Sequence, residues 1–328
     1  IGVRAGSALD TGPESGSTTG GALPDAGRYV PWLERRAERE ARSVDAALVH
    51  YTASIAPITA HLPYVVTIFD LSVLRDPRHH PPLRVARTLW MAHAAHRARR
   101  VIVPSEATCR DVARGLRVPS RRIEVVPLAS ARTEPPGRRD GDADVLARRD
   151  VIPGRYVLAT GGLDGRKNPL RLVRALYRLA APFPALRLVI AGPRGFRAEA
   201  IEKAIRTADV DRRVTIAGYV DNEELDVLVR NAAVFSFVSL HEGFGLPILE
   251  AMGAGVPVVT SRVSAMPEVA GGAAVLVDPR DVDDIARGLV EAVARRDELR
   301  KAGRARAGMR TWHDVARETL DVYGRALR

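Results

Sequence analysis

Short, continuously apolar runs alternate along the chain with longer segments in which apolar residues recur at helical spacing. Such runs predict strands that are buried on both faces. Strands that alternate with helices imply a parallel sheet with crossover helices. The predicted strands are 46–50, 64–69, 101–104, 123–127, 156–160, 186–191, 214–219, 233–238 and 274–277.

The amphipathic segments predict helices between these strands. Ser105 suits the N-cap of one of them, because its hydroxyl can accept a hydrogen bond from the first turn. The last segment is also amphipathic. The predicted helices are 30–42, 83–98, 169–180, 197–208, 222–231, 247–252, 281–296 and 312–327, together with the one that follows Ser105.

Two segments lack either period. Residues 1–28 are rich in Gly, Ser and Thr and are interpreted as a loop. Residues 129–150 are rich in Pro, Gly, Arg and Asp, and they predict the linker between two domains. The chain of 328 residues is therefore divided into a first domain, 1–150, and a second domain, 151–310, which fits the usual domain size.

Composition narrows the class of protein. A hydrophobic content of 46% with 27% charged residues is typical of a soluble globular chain. No apolar run approaches the ~20 residues that cross a bilayer, and no signal-peptide pattern is visible at the start. The single cysteine, Cys109, excludes an intrachain disulfide and fits a reducing compartment. We therefore expect a cytoplasmic protein.

The net charge of +11, from 50 Lys and Arg against 39 Asp and Glu, indicates an anionic partner. Nucleic acid is disfavoured, since no zinc-finger, RNP or helix-turn-helix pattern is present and only 5% of residues are aromatic. A polyanionic small substrate and an anionic membrane surface, bound peripherally, remain as candidate partners.

A glycine-bearing loop joins the fourth strand of the second domain to a helix that Pro247 opens. Proline suits a first helical turn, where its missing N–H would have no partner. Gly243 and Gly245 let the backbone approach a ligand, and free N–H groups at a helix N-terminus attract anions. The loop is predicted to bind phosphate, with the N–H groups of Phe244, Gly245 and Leu246 as donors.

Two carboxylates flank this loop. Glu242 precedes it, and Glu250 follows Pro247 by about one helical turn, near the same helix end. Carboxylates are poor phosphate ligands but good acceptors for vicinal hydroxyls, such as those of a ribose or a hexose. A nucleotide sugar carries both hydroxyl sets with a diphosphate between them.

A second loop, GGLDGRKNP, follows the first strand of the second domain. Gly161 and Gly162 free the turn, and Arg166 and Lys167 supply two cations. Arg can bind two phosphate oxygens at once, while Lys acts as a point charge. Ligands of an open parallel sheet gather at the carboxyl ends of its strands, so we expect both loops to meet on one diphosphate. No Asp-x-Asp motif is present, and no metal or other cofactor is expected.

Glu242 and Glu250, with seven residues between them, and the sequence GFGLPILEAMGAGVPVV resemble the donor-site signature of retaining GT-B glycosyltransferases of family 4. The similarity runs from about residue 45 to the end and is strongest over 155–280. It implies an α/β fold with two Rossmann-like, doubly wound domains that face a central cleft. It also implies that 311–328 form a helix crossing back to the first domain.

The resemblance further implies retaining transfer of a hexosyl group to a glycan, lipid-linked or small-molecule acceptor. Glu242 would orient the sugar hydroxyls and Glu250 the ribose, while Arg166 and Lys167 would contact the donor diphosphate. The turn that contains Tyr219 and Val220 would hold the nucleobase. The GLDGRKNP form is similar to that of mannosyltransferases, which favours GDP-mannose over a UDP-sugar.

The first domain departs from the family pattern. Members often carry a histidine before the aspartate at the end of the strand predicted over 64–69, whereas here Phe69 precedes Asp70. Asp70 and His50, at the end of another strand, are the remaining polar candidates on the acceptor side. The departure leaves open a sugar-nucleotide epimerase or a non-catalytic nucleotide-sugar binder.

Two smaller expectations concern the first domain. The family's opening strand and glycine-rich turn are not visible in 1–28, so either residues are missing before Ile1 or the first unit is divergent. The four histidines His79, His80, His93 and His96 are predicted to lie in loops or on helix faces.

Overall fold

The protein is described here by a computed structural model. The structure describes residues 2–4, 37–130, 141–179, 181, 183–208 and 212–328. Two separate sheets lie in two units, which we call the first unit and the second unit. Within the described residues, no helix is long and apolar enough to cross a membrane.

The first unit is built on a five-stranded sheet of order β1-β2-β3-β4-β5. Strands β2 to β5 are parallel, and β1 pairs antiparallel with β2 at the edge. The prediction of a loop over 1–28 is therefore wrong at β1, since three residues are too few to show a period. The strands are β1 Gly2–Arg4, β2 Ala46–Tyr51, β3 Tyr64–Thr67, β4 Arg100–Val103 and β5 Ile123–Val125.

Four α-helices of the described residues connect or flank these strands. Ser105 caps α4 by accepting from the Thr108 N–H, as predicted. The predicted helix over 30–42 lies partly outside the described residues. The helices are α1 Glu38–Ser43, α2 Ser72–Arg75, α3 Pro82–Arg97 and α4 Glu106–Gly115.

The second unit is built on a six-stranded parallel sheet of order β11-β10-β9-β6-β7-β8. The chain adds strands in one direction from β6 to β8 and then returns to β9, which pairs with β6 on its other side. Ligands of open α/β sheets bind at such a reversal, beyond the carboxyl ends of the strands. The strands are β6 Tyr156–Thr160, β7 Arg187–Ala191, β8 Val214–Gly218, β9 Val234–Phe237, β10 Val258–Ser261 and β11 Val275–Val277.

Eight α-helices accompany this sheet in the part of the chain that the structure describes. The short α10 and the highly charged α12 were not predicted, because α10 has only five residues and α12 buries mainly small side chains. The helices are α5 Asp142–Arg148, α6 Pro169–Arg178, α7 Ala198–Ala208, α8 Asn222–Arg230, α9 Leu246–Gly253, α10 Met266–Ala270, α11 Val282–Ala294 and α12 Arg296–Ala307.

Helix α5 corrects the prediction of an aperiodic linker over 129–150. Its first residue, Asp142, is buried and accepts hydrogen bonds from Arg230 and Asn231 at the end of α8. Leu146 lies in the core of the second unit. The second unit therefore begins before residue 151.

The last helix, α13 (Trp312–Leu327), packs on the first sheet although it follows the second unit. Thr311 and Asp314 form a capping box that fixes its start. Its buried Val315 and Val322 join a cluster with residues of β2, β3 and β4. The chain therefore returns to the first unit at its end.

His50 lies beneath α13. Its Nδ1 is 2.7 Å from the Tyr323 hydroxyl, and its Nε2 is 2.7 Å from the Thr67 hydroxyl. Burial of the ring lowers the pKa of His50 to about 4. The expectation that His50 faces an acceptor is corrected, because both ring nitrogens are engaged in joining α13 to the sheet.

The buried His50 makes the stability of the protein depend on pH. The unfolded chain protonates this ring below about pH 6.5, whereas the folded protein keeps it neutral down to about pH 4. The contribution of the neutral His50 to the free energy of unfolding is therefore present above about pH 6.5 and is lost as the pH falls toward 4. The loss is about 2 kcal/mol between pH 7.5 and pH 5.

We expect His50→Gln to reduce this pH dependence by that amount in urea titrations at the two pH values. His313→Gln, on the exposed side of α13, is the matched control and should leave the pH dependence of stability unchanged. An equal pH dependence in the wild-type protein and His50→Gln would contradict the assignment.

Candidate active site

The loop after β6 and the loop after β9 meet at the strand reversal of the second sheet. Arg166 Nη1 and Lys167 Nζ each lie 2.7 Å from Glu242 Oε1. The three side chains are largely buried. The predicted meeting of the cationic loop and the Glu242 loop is therefore confirmed.

The cationic loop is fixed by hydrogen bonds from its own residues. The Asp164 carboxylate accepts from the Arg166 N–H, and Asn168 Nδ2 donates to the carbonyls of Val238 and Pro279. Asn168 has a φ of 64°, a left-handed conformation that asparagine tolerates better than most residues. Asn168 is not among the predicted site residues, although an asparagine just before a helix-opening proline is a recognisable signal.

Close packing leaves no space for side chains at the turn of this loop. A Cβ at Gly162 would lie 2.0 Å from the Pro193 carbonyl oxygen, and φ there is +65°. The Lys167 stem passes over Gly161, and its Nζ lies 4.6 Å from the centre of the Phe237 ring. Glycine is therefore required at Gly162, and Lys167 is held in one direction.

The charges of the cluster stabilise one another. Burial alone would raise the pKa of Glu242, but Lys167 and Arg166 hold it below its ordinary value. Burial likewise opposes the charge of Arg166, and the neighbouring Glu242 keeps the pKa of Arg166 above its ordinary value. Two cations and one carboxylate leave a net charge of +1, which is suited to an anionic ligand.

The N-terminus of α9 offers further donors. Within the described part of the chain, the N–H groups of Phe244, Gly245 and Leu246 donate to no acceptor. The Phe244 side chain is buried in the core, so its backbone is what the loop presents. Glu250 is half-buried on the same helix, and no described residue pairs with its carboxylate. The roles predicted for these groups in binding a donor stay predictions.

The turn after β8 lies two strands from β6, at about 10 Å. Val220 packs its side chain into the core, so only its backbone is available to a ligand. Tyr219, by contrast, is 77% exposed. The predicted role of this turn in holding a nucleobase stays a prediction.

The first unit holds the Glu242 loop from the opposite side. The hydroxyls of Ser105 and Thr108 both donate to the Gly243 carbonyl, at 2.7 and 2.9 Å. A Cβ at Gly243 would lie 1.7 Å from the Phe69 carbonyl oxygen, so only glycine permits this approach. The two units therefore touch at the residue next to Glu242.

Two more contacts join the units. His241 Nε2 lies 3.5 Å from Asp111, which also pairs with Arg75. The Glu268 carboxylate accepts from the Glu106 N–H, at the N-terminus of α4, at 3.1 Å to each oxygen. A carboxylate is favourable there because the helix end is partly positive.

Comparison with known proteins decides the family. Residues 154–295 match the family described as Glycosyl transferases group 1, and 7–129 match Glycosyltransferase Family 4. O-antigen chain mannosyltransferase B of Escherichia coli is 31% identical over 268 residues, which are 79% of this chain and 69% of that protein. The chain belongs to the group 1, family 4 glycosyltransferases.

Two further similarities support this assignment. MMP alpha-(1->4)-mannosyltransferase of Mycolicibacterium hassiacum is 30% identical over 237 residues, covering 69% of this glycosyltransferase but only 54% of that protein. Sucrose-phosphate synthase from Thermosynechococcus elongatus superposes with a TM-score of 0.74, over 92% of this chain and 80% of that chain, at 22% identity. The predicted GT-B fold, with two Rossmann-like domains, is confirmed.

Asp70 of the glycosyltransferase lies where the first unit faces the cluster. Its carboxylate accepts from the N–H and the hydroxyl of Ser72 at the start of α2. Burial would raise the pKa of Asp70, but the Ser72 hydrogen bonds, with Arg166 and His241, bring it below its ordinary value. Phe69, beside it, is 44% exposed. Asp70 therefore remains the acceptor-side candidate.

His79 and His80 lie nearer to the cationic loop than the sequence analysis indicated. A Cβ at Gly165 would be 2.4 Å from His79 Cδ2, so that ring packs on the loop. His80 is buried, and its Nε2 has no hydrogen-bond partner among the described residues. Burial, and then Arg166, lower the pKa of His80. Their position on the loop after Asp70 could have suggested a place in the cleft.

Metal ligands form no cluster in the described residues. No three His, Cys, Asp or Glu side chains come together there in a way that could hold an ion. The expectation that the glycosyltransferase needs no metal stays a prediction.

The double hydrogen bond to Gly243 should couple contact between the units to the position of Glu242. We expect Thr108→Val, which keeps the shape but removes one donor, to lower kcat about fivefold. This corresponds to about 1 kcal/mol, the usual contribution of one hydrogen bond. Steady-state transfer assays would measure it.

Thr108→Ser keeps the hydroxyl and is the matched control, so its kcat should stay near that of the wild-type enzyme. The affinity for a nucleoside diphosphate should be the same in both variants, because the donor residues lie in the second unit. A wild-type kcat in Thr108→Val would show that this contact does not position the loop.

Proposed function

We propose that this glycosyltransferase moves a hexosyl group, most simply mannose, from a nucleoside diphosphate sugar to an acceptor hydroxyl with retention of configuration. The proposal depends on one observation, which is the convergence of Arg166, Lys167 and Glu242 at the strand reversal. The two mannosyltransferase relatives support mannose. The acceptor would be a glycan, a lipid-linked sugar or a small molecule.

The diphosphate would lie between the cations and the N-terminus of α9. As the bond from the anomeric carbon to the phosphate oxygen breaks, negative charge grows on the leaving diphosphate. Lys167, Arg166 and the free N–H groups of residues 244–246 are already fixed in place, so they can stabilise that charge without reorganisation. We assign them the role that a metal ion has in other transferases.

Retention requires the acceptor oxygen to bond on the face from which the diphosphate leaves. In this proposal the acceptor proton passes to the departing phosphate oxygen, so no protein base is needed. Glu242 would accept hydrogen bonds from the sugar hydroxyls while its Oε1 holds both cations. Glu250 would bind the ribose.

The contacts between the units would protect this chemistry from water. The Phe69 carbonyl and the Ser105 and Thr108 hydroxyls close on the Glu242 loop. Closure that excludes water favours transfer over hydrolysis of the donor. The net charge of +11 supports the additional proposal that the enzyme binds an anionic membrane surface peripherally.

Nucleotide binding tests the donor class. We expect isothermal titration to show GDP binding about tenfold more tightly than UDP, followed by slow hydrolysis of GDP-mannose when no acceptor is present. Tighter binding of UDP would replace the mannosyl assignment by a UDP-sugar. Binding without turnover of any donor on a broad acceptor panel would contradict the transfer proposal.

Lys167 should be needed mainly in the transition state. We expect Lys167→Ala to lower the rate of transfer at least about tenfold, on the order of 1.4 kcal/mol in the barrier. Lys203→Ala, an exposed lysine on α7, removes the same charge away from the site and should leave the rate unchanged. Unchanged turnover in Lys167→Ala would remove Lys167 from the active site.

A further inference from the structure

Apart from the proposed donor site, a cavity lies between the two units, on the β10 and β11 side of the strand reversal. Its volume is about 440 Å³, which is within the usual range for small-molecule sites. The first unit contributes residues of α2 and α4, and the second unit contributes the segments after β6, β9, β10 and β11. The nucleobase turn after β8 is on the other side of the reversal.

Arginine dominates the lining of this cavity. Five of its thirteen lining residues are arginines, whereas Lys and Arg together make 50 of the 328 residues of the chain. The arginine-rich composition therefore does not by itself explain the lining. The five are Arg75, Arg110, Arg114, Arg166 and Arg280.

The two lining carboxylates pair with only one of the five lining arginines, Arg75. Asp111 already pairs with Arg75 and His241, and Asp76 pairs with Arg78 and His79.

Three of the lining guanidinium groups have no partner among the described residues. Arg110, Arg114 and Arg280 make no side-chain hydrogen bond or ion pair with any residue in the described ranges. Arg110 and Arg114 belong to the first unit and Arg280 to the second, so guanidinium groups that pair with no described residue approach from both sides.

Guanidinium groups bind phosphate oxygens in pairs of parallel hydrogen bonds. Several of them around one cavity favour a ligand with more than one negative charge. Arg166 is part of the wall, while its Nη1 pairs with Glu242. A group bound in this cavity would therefore lie next to the proposed donor site.

We propose that this cavity binds a phosphate monoester group carried by the acceptor. The assignment to the acceptor rests on the proposed function, whereas the binding of phosphate rests only on the lining of the cavity. Free inorganic phosphate has the same chemistry and is the other source of the ligand. The cavity would then select acceptors by charge at a point beyond the reacting hydroxyl.

Titration of the full chain with inorganic phosphate tests the cavity. GDP is kept saturating, so that phosphate cannot bind at Lys167 and the α9 N-terminus. We expect Arg114→Gln/Arg280→Gln to weaken phosphate binding at least about tenfold, since one guanidinium is lost on each side. Arg121→Gln/Arg148→Gln removes one exposed arginine from each unit outside the cavity and should change the affinity less than about twofold.

A parallel titration with mannose 6-phosphate and mannose separates the two sources. Tighter binding of mannose 6-phosphate than of inorganic phosphate, with no binding of mannose, supports an acceptor-borne group. Equal binding of the two phosphates supports the cavity with free phosphate as its ligand. No saturable phosphate binding, or equal losses in both double variants, overturns the proposal.

GDP affinity in the same samples keeps this test separate from the proposed function. Both double variants should bind GDP as the wild-type enzyme does, because none of the four arginines belongs to the donor site. If the wild-type enzyme does not bind GDP, that result counts against the proposed donor. The phosphate affinities of the wild-type enzyme and the two double variants would still be compared.

Discussion

The buried ion cluster of Glu242, Arg166 and Lys167 is the interaction on which the rest of the site depends. Each charge is largely removed from water, and Glu242 pairs directly with both cations. Removal of Glu242 would leave two buried cations without their shared countercharge, which is strongly destabilising. The cluster therefore joins the loops after β6 and β9 into a single surface, and that surface carries the proposed donor chemistry.

Much of the fold could be predicted because its signals are local. The continuously apolar strands β6 and β9 and the amphipathic helices between them are visible in short windows of sequence. The meeting of Arg166 with Glu242, 76 residues apart in number, followed from a topological rule about strand ends rather than from any local signal. That rule needs only the order of the elements, which the alternating pattern supplies.

Other features depend on partners that no local pattern reveals. His50 resembled a ligand at a strand end, and only its hydrogen bond to Tyr323, 273 residues away, shows its packing role. The start of α5 looked like linker because Asp142 is polar, yet Arg230 makes that carboxylate part of a buried contact. The hydrogen bonds from the Ser105 and Thr108 hydroxyls to the Gly243 carbonyl likewise form only when the two units are in contact.

The return of α13 to the first sheet means that the chain passes between the units twice, once after residue 130 and again after α12. Two bodies joined at two points cannot drift apart or slide freely, and their easiest relative movement is rotation about the line through those points. Opening and closing of the cleft would therefore be a hinge rotation about that line. Such a hinge brings the same two faces of the units back together after every turnover.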